Sequence, residues 1–306
     1  MQIFERYSDV SLRGASVAMG NFDGVHLGHR SVINLAKREG VPLGVISFEP
    51  HPRSFFAPDS PPFRLMNAAA KRHRLAKIGV DVLYDLPFDK ALSSLTALEF
   101  VRDVLAGGLG ISHLVVGEDF RFGKGREGDV AFLQEHGPAH GFEVTVAPLV
   151  SGENGRYSSS AIRAALAAGQ PEEAAKMLGH WHRIDGTVEK GDQRGRELGF
   201  PTANISVDAL HLPRLGVYAV EFDVLTGPQK GCYLGAASLG VRPTFGRNSP
   251  NLETFVFDFS GDLYGADVSV ALVAFQRPEL KFDDLDSLIV QMHKDCDISR
   301  EILRNA

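Results

Sequence analysis

Two histidines stand three residues apart in the stretch GNFDGVHLGHR, residues 20–30. The glycines allow a turn and a close approach of backbone to a ligand. A helix is expected to begin near Leu27, and residues three apart share a helix face, so His26 and His29 can point the same way. The positive end of that helix and its unpaired N–H groups lie beside them. The pair is therefore suited to donate hydrogen bonds to an α-phosphate as negative charge builds during displacement.

The pair alone leaves other interpretations open. Two histidines can bind zinc, although this spacing is short and no cysteine or acidic ligand cluster lies nearby. They can also be ordinary surface or core residues. The glycines of 123–128 fit a dinucleotide or P-loop pattern only weakly, because DFRF separates them from the preceding strand and Gly125 stands where a P-loop needs Ser or Thr.

Other loops of the first half follow predicted strands and carry polar side chains. His51 lies between two prolines, in FEPHPRSFF; it is either a solvated histidine of a rigid loop or a site residue. The stretch 117–129 is either an exposed loop or a place for an anionic or aromatic ligand. The serines of RYSSSAIR, residues 156–163, either cap a helix or surround phosphates together with Arg156. These loops follow the carboxyl ends of the predicted strands, where open α/β sheets bind ligands.

The second half carries oxygen donors and a carboxylate. Thr202 and Asn204 alternate on a predicted strand, so their side chains share a face. A hydroxyl and an amide oxygen are hard ligands that suit Mg²⁺. Glu253 lies among alternating apolar residues; it is either a solvated glutamate or a general base for a hydroxyl.

Strands and helices must position these residues. In the first part, short β-branched runs alternate with helix-like segments that end near glycine, which predicts a parallel sheet flanked by helices. Beyond residue 180, six β-rich runs separated by turns predict an antiparallel barrel or sandwich, followed by a helix over 282–305. We place the domain boundary near Arg183, giving domains of 1–183 and 184–306. The five runs of the first part are 16–20, 42–48, 80–86, 112–117 and 142–147.

Composition narrows the class of protein. The chain has 306 residues, 44% of them hydrophobic, and a formal net charge of −6, so general nucleic-acid binding is not expected. Cys232 and Cys296 cannot form a disulfide framework and fit a reducing compartment. No apolar run is long enough for a membrane helix, and the start lacks the apolar stretch of a secretory signal. We expect a cytoplasmic protein with no membrane partner; the oligomeric state is unknown.

Motifs from both halves resemble one family, the bacterial bifunctional riboflavin kinase/FMN adenylyltransferases, also called FAD synthetases. The resemblance covers nearly the whole chain, and the order and spacing of the motifs match. The motifs are GNFDGVHLGHR, FEPHP, DFRFG, RYSSSAIR, GRELGFPTANI, GVYAV, GVRPTFG, LETFVFDFSGDLYG and FQRPELKFDDLDSL.

The resemblance implies an α/β Rossmann-like nucleotidyltransferase domain and a C-terminal six-stranded antiparallel β-barrel kinase domain with a terminal helix. It implies that ATP phosphorylates riboflavin to FMN, and that a second ATP adenylylates FMN to FAD with release of pyrophosphate. Mg²⁺ would be the cofactor and ATP the co-substrate.

The resemblance also implies site residues. His26 and His29 would contact ATP phosphates as catalytic residues, and Glu253 would activate the ribityl 5′-hydroxyl. Thr202 and Asn204 would ligate Mg²⁺. Ser160 stands where the family often has threonine, which keeps a hydroxyl. Residues expected to bind nucleotide or flavin are Gly20, Phe22, Asp23, Gly24, His51, Asp119, Arg156, Ser159, Ser160, Arg163, Gly191, Gly195, Gly199 and Pro201.

Two other functions compete with this one. A flavin carrier or regulator could keep the same scaffold, but it would need neither Mg²⁺ ligands nor a general base. An adenylyltransferase with a single activity could use the second domain to hold its substrate, but PTAN and Glu253 speak against that.

Overall fold

A computed structural model of the chain describes residues 1–152, 155–191, 195, 198–244 and 247–306, with only the backbone described over 242–249. The chain divides into two compact units. The first comprises Met1–Ser60 and Lys71–Tyr157, and the second comprises Pro61–Ala70 and Ser158–Ala306. The polypeptide therefore enters the second unit twice. The domain boundary expected near Arg183 stays a prediction.

The first unit is built on a parallel six-stranded sheet in the order β1-β4-β3-β2-β5-β6. Helices cover the sheet, so its inner strands are apolar almost throughout. This architecture confirms the predicted Rossmann-like fold. The strands are β1 Gln2–Phe4, β2 Ser16–Met19, β3 Leu43–Glu49, β4 Val82–Pro87, β5 His113–Gly117 and β6 Glu143–Ala147, with a small hairpin of β7 Ser151–Gly152 and β8 Gly155–Arg156.

The helices of the N-terminal part have at most 10 residues, and one of them, Phe100–Leu109, is a π-helix. Thr96 and Glu99 form a capping box in front of it. The α-helices are α1 Leu27–Leu35, α2 Pro52–Phe56, α3 Ala68–Lys77, α4 Lys90–Ser93, α5 Ala97–Glu99 and α6 Val130–His136; 3₁₀ turns cover Tyr7–Asp9, Lys124–Arg126 and Pro138–His140.

The strand order places a switch point beside β2. The chain runs from β2 to β3 and β4 in one direction and then crosses to β5, on the other side of β2. Open α/β sheets bind ligands where the strand order reverses, at the carboxyl ends of the strands. The loops that follow β2 and β5 begin at that edge, and they carry the His-x-Gly-His and GEDFRFG motifs.

The second unit contains an antiparallel six-stranded sheet in the order β10-β13-β12-β11-β14-β9. Glu189, just after β9, forms a bridge with Asn204 of β10, so the two ends of the sheet approach each other. This confirms the predicted antiparallel barrel with a terminal helix. The elements are α7 Ser159–Ala167, α8 Pro171–Leu178, β9 His182–Thr187, β10 Thr202–Ser206, β11 Gly216–Val224, β12 Gly231–Thr244, β13 Arg247–Val256, β14 Asp267–Arg277 and α9 Leu285–Arg304.

A strap, Pro61–Ala70, belongs to this unit although it lies far away in sequence. The carbonyl of Arg64 accepts the N–H of His211 at 2.8 Å, and Asn67 Nδ2 donates to the carbonyl of Asp185 at 2.8 Å. Leu65 is buried in a small cluster with apolar residues of α7 and α8. Among the residues that the structure describes, no helix has the length and apolar content needed to cross a membrane.

Candidate active sites

The turn after β2 is strained. Phe22 and Val25 have φ values of 51° and 43°, and both side chains are buried. Left-handed backbone is unfavourable for such residues, above all for β-branched valine. Strain of this kind persists where the surrounding structure fixes it, which is often at functional sites. The turn therefore holds its residues in one geometry ahead of α1.

His26 caps helix α1. Its Nδ1 accepts the backbone N–H of His29 at 3.2 Å, so the proton of the neutral ring lies on Nε2, which is a donor. Gly28 makes this arrangement possible: a Cβ there would lie 3.1 Å from the His26 ring and 3.3 Å from the carbonyl oxygen of Tyr157. Sequence reasoning missed Gly28, although its fixed place in His-x-Gly-His was a signal.

His29 stacks on His26, with ring centroids 3.6 Å apart, and meets the edge of Phe22 at 5.2 Å. Its Nδ1 is buried and has no hydrogen-bond partner in the described part of the chain. Burial and the neighbouring His26 lower the pKa of His29 well below its ordinary value, so the ring is neutral at pH 7. Buried polar atoms without a partner are rare, and a bound phosphate oxygen would supply one.

The structure positions the other predicted residues of the first unit at the same edge of the sheet or close to it. The N–H of Gly20 donates to the carbonyl of Ile46 at 3.1 Å. His51 caps α2 by accepting the N–H of Arg53 at 3.1 Å. Arg156 on β8 donates to Asp119 at 2.7 Å, so these two predicted residues form an exposed ion pair. The buried Asp23 and Gly24, whose φ is 90°, lie within the strained turn.

The serine motif lies at the start of α7, in the second unit. Ser158 Oγ accepts the N–H of Ala161 at 3.2 Å, which confirms its capping role. Ser159 and Ser160 occupy the first turn. Arg163 Nε donates to the carbonyl of Phe63 at 2.6 Å, and its guanidinium lies 5.4 Å from the centre of the Phe63 ring.

A cavity of about 280 Å³ lies in the second unit, beside Glu253 and Thr202. Glu253 and Phe255 point away from the barrel core, whereas Leu252 and Thr254, which alternate with them along the strand, are buried. The cavity is lined by Phe200, Thr202, Val217, Ala236, Ala237, Ser238, Glu253, Phe255, Arg277, Glu279, Leu280, Phe282, Leu288, Met292, Asp295 and Cys296.

Thr202 and Asn204 share a face, as predicted. Asn204 Nδ2 donates to the carbonyl of Thr202 at 3.0 Å and lies 3.4 Å from Thr202 Oγ1. Asn204 Oδ1 accepts a hydrogen bond from Asn251 Nδ2 at 3.0 Å. This contact fixes the orientation of the Asn204 amide and shows which of its two terminal atoms is the oxygen. Among the described residues, no three His, Cys, Asp or Glu side chains cluster as metal ligands. The candidate donors are therefore a hydroxyl and an amide oxygen.

The glycine-rich loop before β10 is described only in part. A Cβ on Gly191 would lie 2.8 Å from Asn204 Nδ2, so backbone packs directly on that amide. The carbonyl of Gly195 accepts the N–H of Phe200 at 2.7 Å. Gly199 has a φ of 83°, and Pro201 is exposed just before Thr202. Residues 192–194 and 196–197 of the predicted loop lie outside the described residues.

Sequence reasoning missed several residues of this cavity. Ser238 lies opposite Glu253 in the β12–β13 ladder, and Arg277 and Asp295 line the same space. Phe255 is also part of the cavity wall. Strand β12 continues to Thr244 and so takes in most of the GVRPTFG motif; Phe245 of that motif lies outside the described residues.

Comparisons with known proteins cover both parts of the chain. The family model described as FAD synthetase matches residues 8–161, and the one described as riboflavin kinase matches residues 178–303. The chain is 40% identical over 298 residues to the bifunctional riboflavin kinase/FMN adenylyltransferase of Escherichia coli (strain K12), covering 96% of this chain and 94% of the relative. The corresponding protein of Bacillus subtilis (strain 168) is 35% identical over 290 residues, covering 91% and 89%.

One solved structure matches the whole fold. A crystal structure of a protein from Streptococcus pneumoniae, named there as a macrolide-efflux protein, superposes with a TM-score of 0.83 at 32% identity, covering 97% of this chain and 98% of that one. The likeness extends over both units, as do the sequence matches. The chain therefore belongs to the family of bifunctional riboflavin kinase/FMN adenylyltransferases.

Proposed function

We propose that each unit has its own reaction site: FMN is adenylylated at the paired histidines of α1, and riboflavin is phosphorylated in the cavity beside Glu253. The chain is a riboflavin kinase and FMN adenylyltransferase that makes FMN from riboflavin and then FAD. An enzyme of this family is favoured over a flavin carrier or an adenylyltransferase with a single activity, because both domain families match. The observation that carries the assignment is Glu253 and Thr202 lining one cavity of the second unit.

In the adenylylation step, a phosphate oxygen of FMN attacks the α-phosphorus of ATP and pyrophosphate leaves. The FMN phosphate is already ionised at neutral pH, so the site needs hydrogen-bond donors rather than a base. Nε2–H of neutral His26 and the N–H groups at the start of α1 are such donors. His29, whose buried Nδ1 has no partner in the described structure, would complete the set around the triphosphate.

In the kinase step, the carboxylate of Glu253 takes the proton of the ribityl 5′-hydroxyl while that oxygen bonds to the γ-phosphorus and ADP leaves. Ser238 lies opposite Glu253 and can orient the hydroxyl. Phosphoryl transfer depends mainly on positioning and electrostatics. A carboxylate on a rigid strand meets that need.

The oxygens of Thr202 and Asn204 fit Mg²⁺, which takes few protein ligands together with water and phosphate oxygens. The Asn251 hydrogen bond fixes the Asn204 amide, and Asn204 Oδ1 keeps a second lone pair. When bound, Mg²⁺ neutralises charge on the β- and γ-phosphates. We place both reactions in the cytoplasm, whose reducing conditions suit the free thiols of Cys232 and Cys296.

Product analysis of two variants tests the assignment. Glu253→Gln should lower FMN formation from riboflavin at least about 100-fold, because the base is lost, while FAD still forms from supplied FMN. His29→Gln should do the reverse. The assay is chromatography of flavins after incubation with ATP and Mg²⁺.

Matched variants control for charge and fold. Glu221→Gln removes a carboxylate on β11 outside the cavity, and His73→Gln removes an exposed histidine of α3. Both should keep both activities. If Glu253→Gln stopped both reactions in a folded protein, separate sites would be disproved.

A further inference from the structure

The cavity of the second unit has two walls of different origin. Barrel strands form one wall, with Thr202, Ser238 and Glu253. The segment after β14 and helix α9 form the other, with Leu280 and Met292 among its residues. Barrel strands are held by their ladders, but the second wall needs its own attachment if the cavity is to fit one substrate shape.

An ion pair whose carboxylate is buried provides such an attachment. Arg277, the last residue of β14, donates from Nε and Nη2 to the two carboxylate oxygens of Asp295 on α9, at 2.8 and 2.5 Å. Asp295 is only 4% exposed, and Gln291, one turn earlier on α9, donates to the same carboxylate at 2.8 Å. A two-pronged contact of this kind fixes direction as well as distance.

The same arginine holds the connecting segment. Arg277 Nη1 donates to the carbonyl oxygen of Pro278 at 2.9 Å, and the wall residues Glu279, Leu280 and Phe282 follow directly. One guanidinium therefore joins the end of β14, the segment and α9. Buried ion pairs contribute little net stability, because desolvation offsets their attraction, which favours a role in geometry.

We propose that Asp295 is a positioning residue for the kinase reaction, acting through Arg277 to set the width of the part of the cavity that takes the flavin. This inference rests on the proposed function of the cavity. Asp295 exchanges no proton with the substrate; it keeps Arg277 and the α9 wall in the arrangement that riboflavin fits.

Helix α9 also offers a matched control. Arg300 donates to both oxygens of Asp258 at 2.8 and 2.9 Å, so it forms a second two-pronged pair between α9 and the barrel. That pair is exposed, and neither residue lines the cavity. The two pairs differ in burial and in their place relative to the cavity.

The test compares Asp295→Asn with Asp258→Asn in the full-length chain. Asp295→Asn keeps the volume but loses the charge and one acceptor, and it should raise the KM for riboflavin on the order of tenfold with kcat changed less than about twofold. The Kd for riboflavin, from quenching of its fluorescence, should rise in parallel. Asp258→Asn should leave KM and Kd unchanged, and FAD formation from supplied FMN should persist in both.

A second variant covers poor folding of the first. Arg277→Lys keeps the positive charge but cannot make the two-pronged contact, so it should also raise the KM for riboflavin. In an Arg277→Gln background, Asp295→Asn should cause no further rise in KM. A purely structural pair would lower the melting temperature and the active fraction without changing KM or Kd, and that result would overturn the proposal. If the wild-type chain made no FMN, the proposed function would fail instead, while the riboflavin Kd would still report on Asp295.

Discussion

Asn204 on β10 and Glu253 on β13 lie directly opposite each other in their antiparallel ladder, and Ser238 on β12 lies on the other side of Glu253. Directly paired residues project from the same face of a sheet. The amide proposed for Mg²⁺ and the proposed base are therefore held by adjacent strands rather than by a loop, a rigid support for a reaction that depends on alignment.

Removing the hydroxyl of Thr202 should weaken the binding of Mg²⁺ in the kinase reaction. In Thr202→Val the volume is kept but one oxygen ligand is lost, so the Mg²⁺ concentration for half-maximal FMN formation should rise at least about tenfold. Titration of Mg²⁺ in the kinase assay measures this. An unchanged requirement for Mg²⁺ would remove Thr202 from the ligand set.

The neighbouring Thr254 is the matched control for that variant. Its Oγ1 is buried and has no partner in the described part of the structure, and it points away from the cavity side of β13. Thr254→Val should therefore leave the kinase unaffected and raise the free energy of unfolding by about 1 kcal/mol, as measured by urea unfolding. Loss of stability would show that the hydroxyl has a partner.

Gly191 should be needed for the kinase alone. Its added Cβ would lie within 2.9 Å of three side-chain atoms of Asn204, so Gly191→Ala must displace that amide and should lower FMN formation about tenfold or more. Gly231→Ala is the control, because the nearest atoms to its Cβ are at 3.4 Å or more. Equal activity of the two variants would show that Asn204 need not stay in place.

His26 should prove to have separable structural and chemical roles. Asparagine is also a good helix cap, so His26→Asn should keep the melting temperature yet lower FAD formation on the order of 100-fold, because the Nε2–H donor is lost. His26→Ala should lose activity and also about 1 kcal/mol of stability. Full FAD synthesis by His26→Asn would show that the imidazole serves only as a cap.

The second unit should lose stability in acid through His182. Burial, and then the charges of His180 and His211, lower the pKa of His182 from 6.5 to about 3. Below pH 6.5, His182 binds a proton in the unfolded chain, whereas in the folded chain it stays neutral down to about pH 3. The free energy of unfolding therefore falls as the pH drops from 6.5 to about 3. Between pH 7.5 and pH 5 the loss from this residue should be about 2 kcal/mol.

The single tryptophan, Trp181, is adjacent to His182 and reports unfolding of the second unit by fluorescence. His182→Phe should flatten the dependence on pH relative to wild type, which isolates this histidine from others that titrate. His73→Gln, an exposed change in the first unit, should leave the slope as it is. A slope equal in wild type and His182→Phe would refute the assignment.

The strands were predictable from sequence because the alternation of apolar and polar residues, or a run of β-branched residues, indicates burial within a few residues of chain. Five predicted runs became β2 to β6, and six became β9 to β14. The edge strand Gln2–Phe4 is too short for such a pattern, and the π-helix Phe100–Leu109 has the apolar spacing of an ordinary helix. Local pattern thus indicates elements but not their finer geometry.

The candidate sites were predictable where they lie within one motif. His26, His29, Thr202 and Asn204 follow from spacing on a single element. The Arg277–Asp295 pair joins a strand to a helix across 18 residues, and nothing in the spacing indicates that contact. Arg163 illustrates the same point, because its partner, the carbonyl of Phe63, lies 100 residues away.

The strap Pro61–Ala70 limits how the two activities can be separated genetically. A fragment that starts at Ser158 would carry every strand of the barrel but leave the cluster of Ile162, Leu166 and Leu178 without Leu65, and the N–H of His211 without its acceptor. No single cut in the gene yields the second unit whole. Because the second unit contains a segment from the first half of the chain, recombination that separated the coding regions of the two activities would divide a folded unit rather than a linker. The two activities are therefore expected to be inherited together.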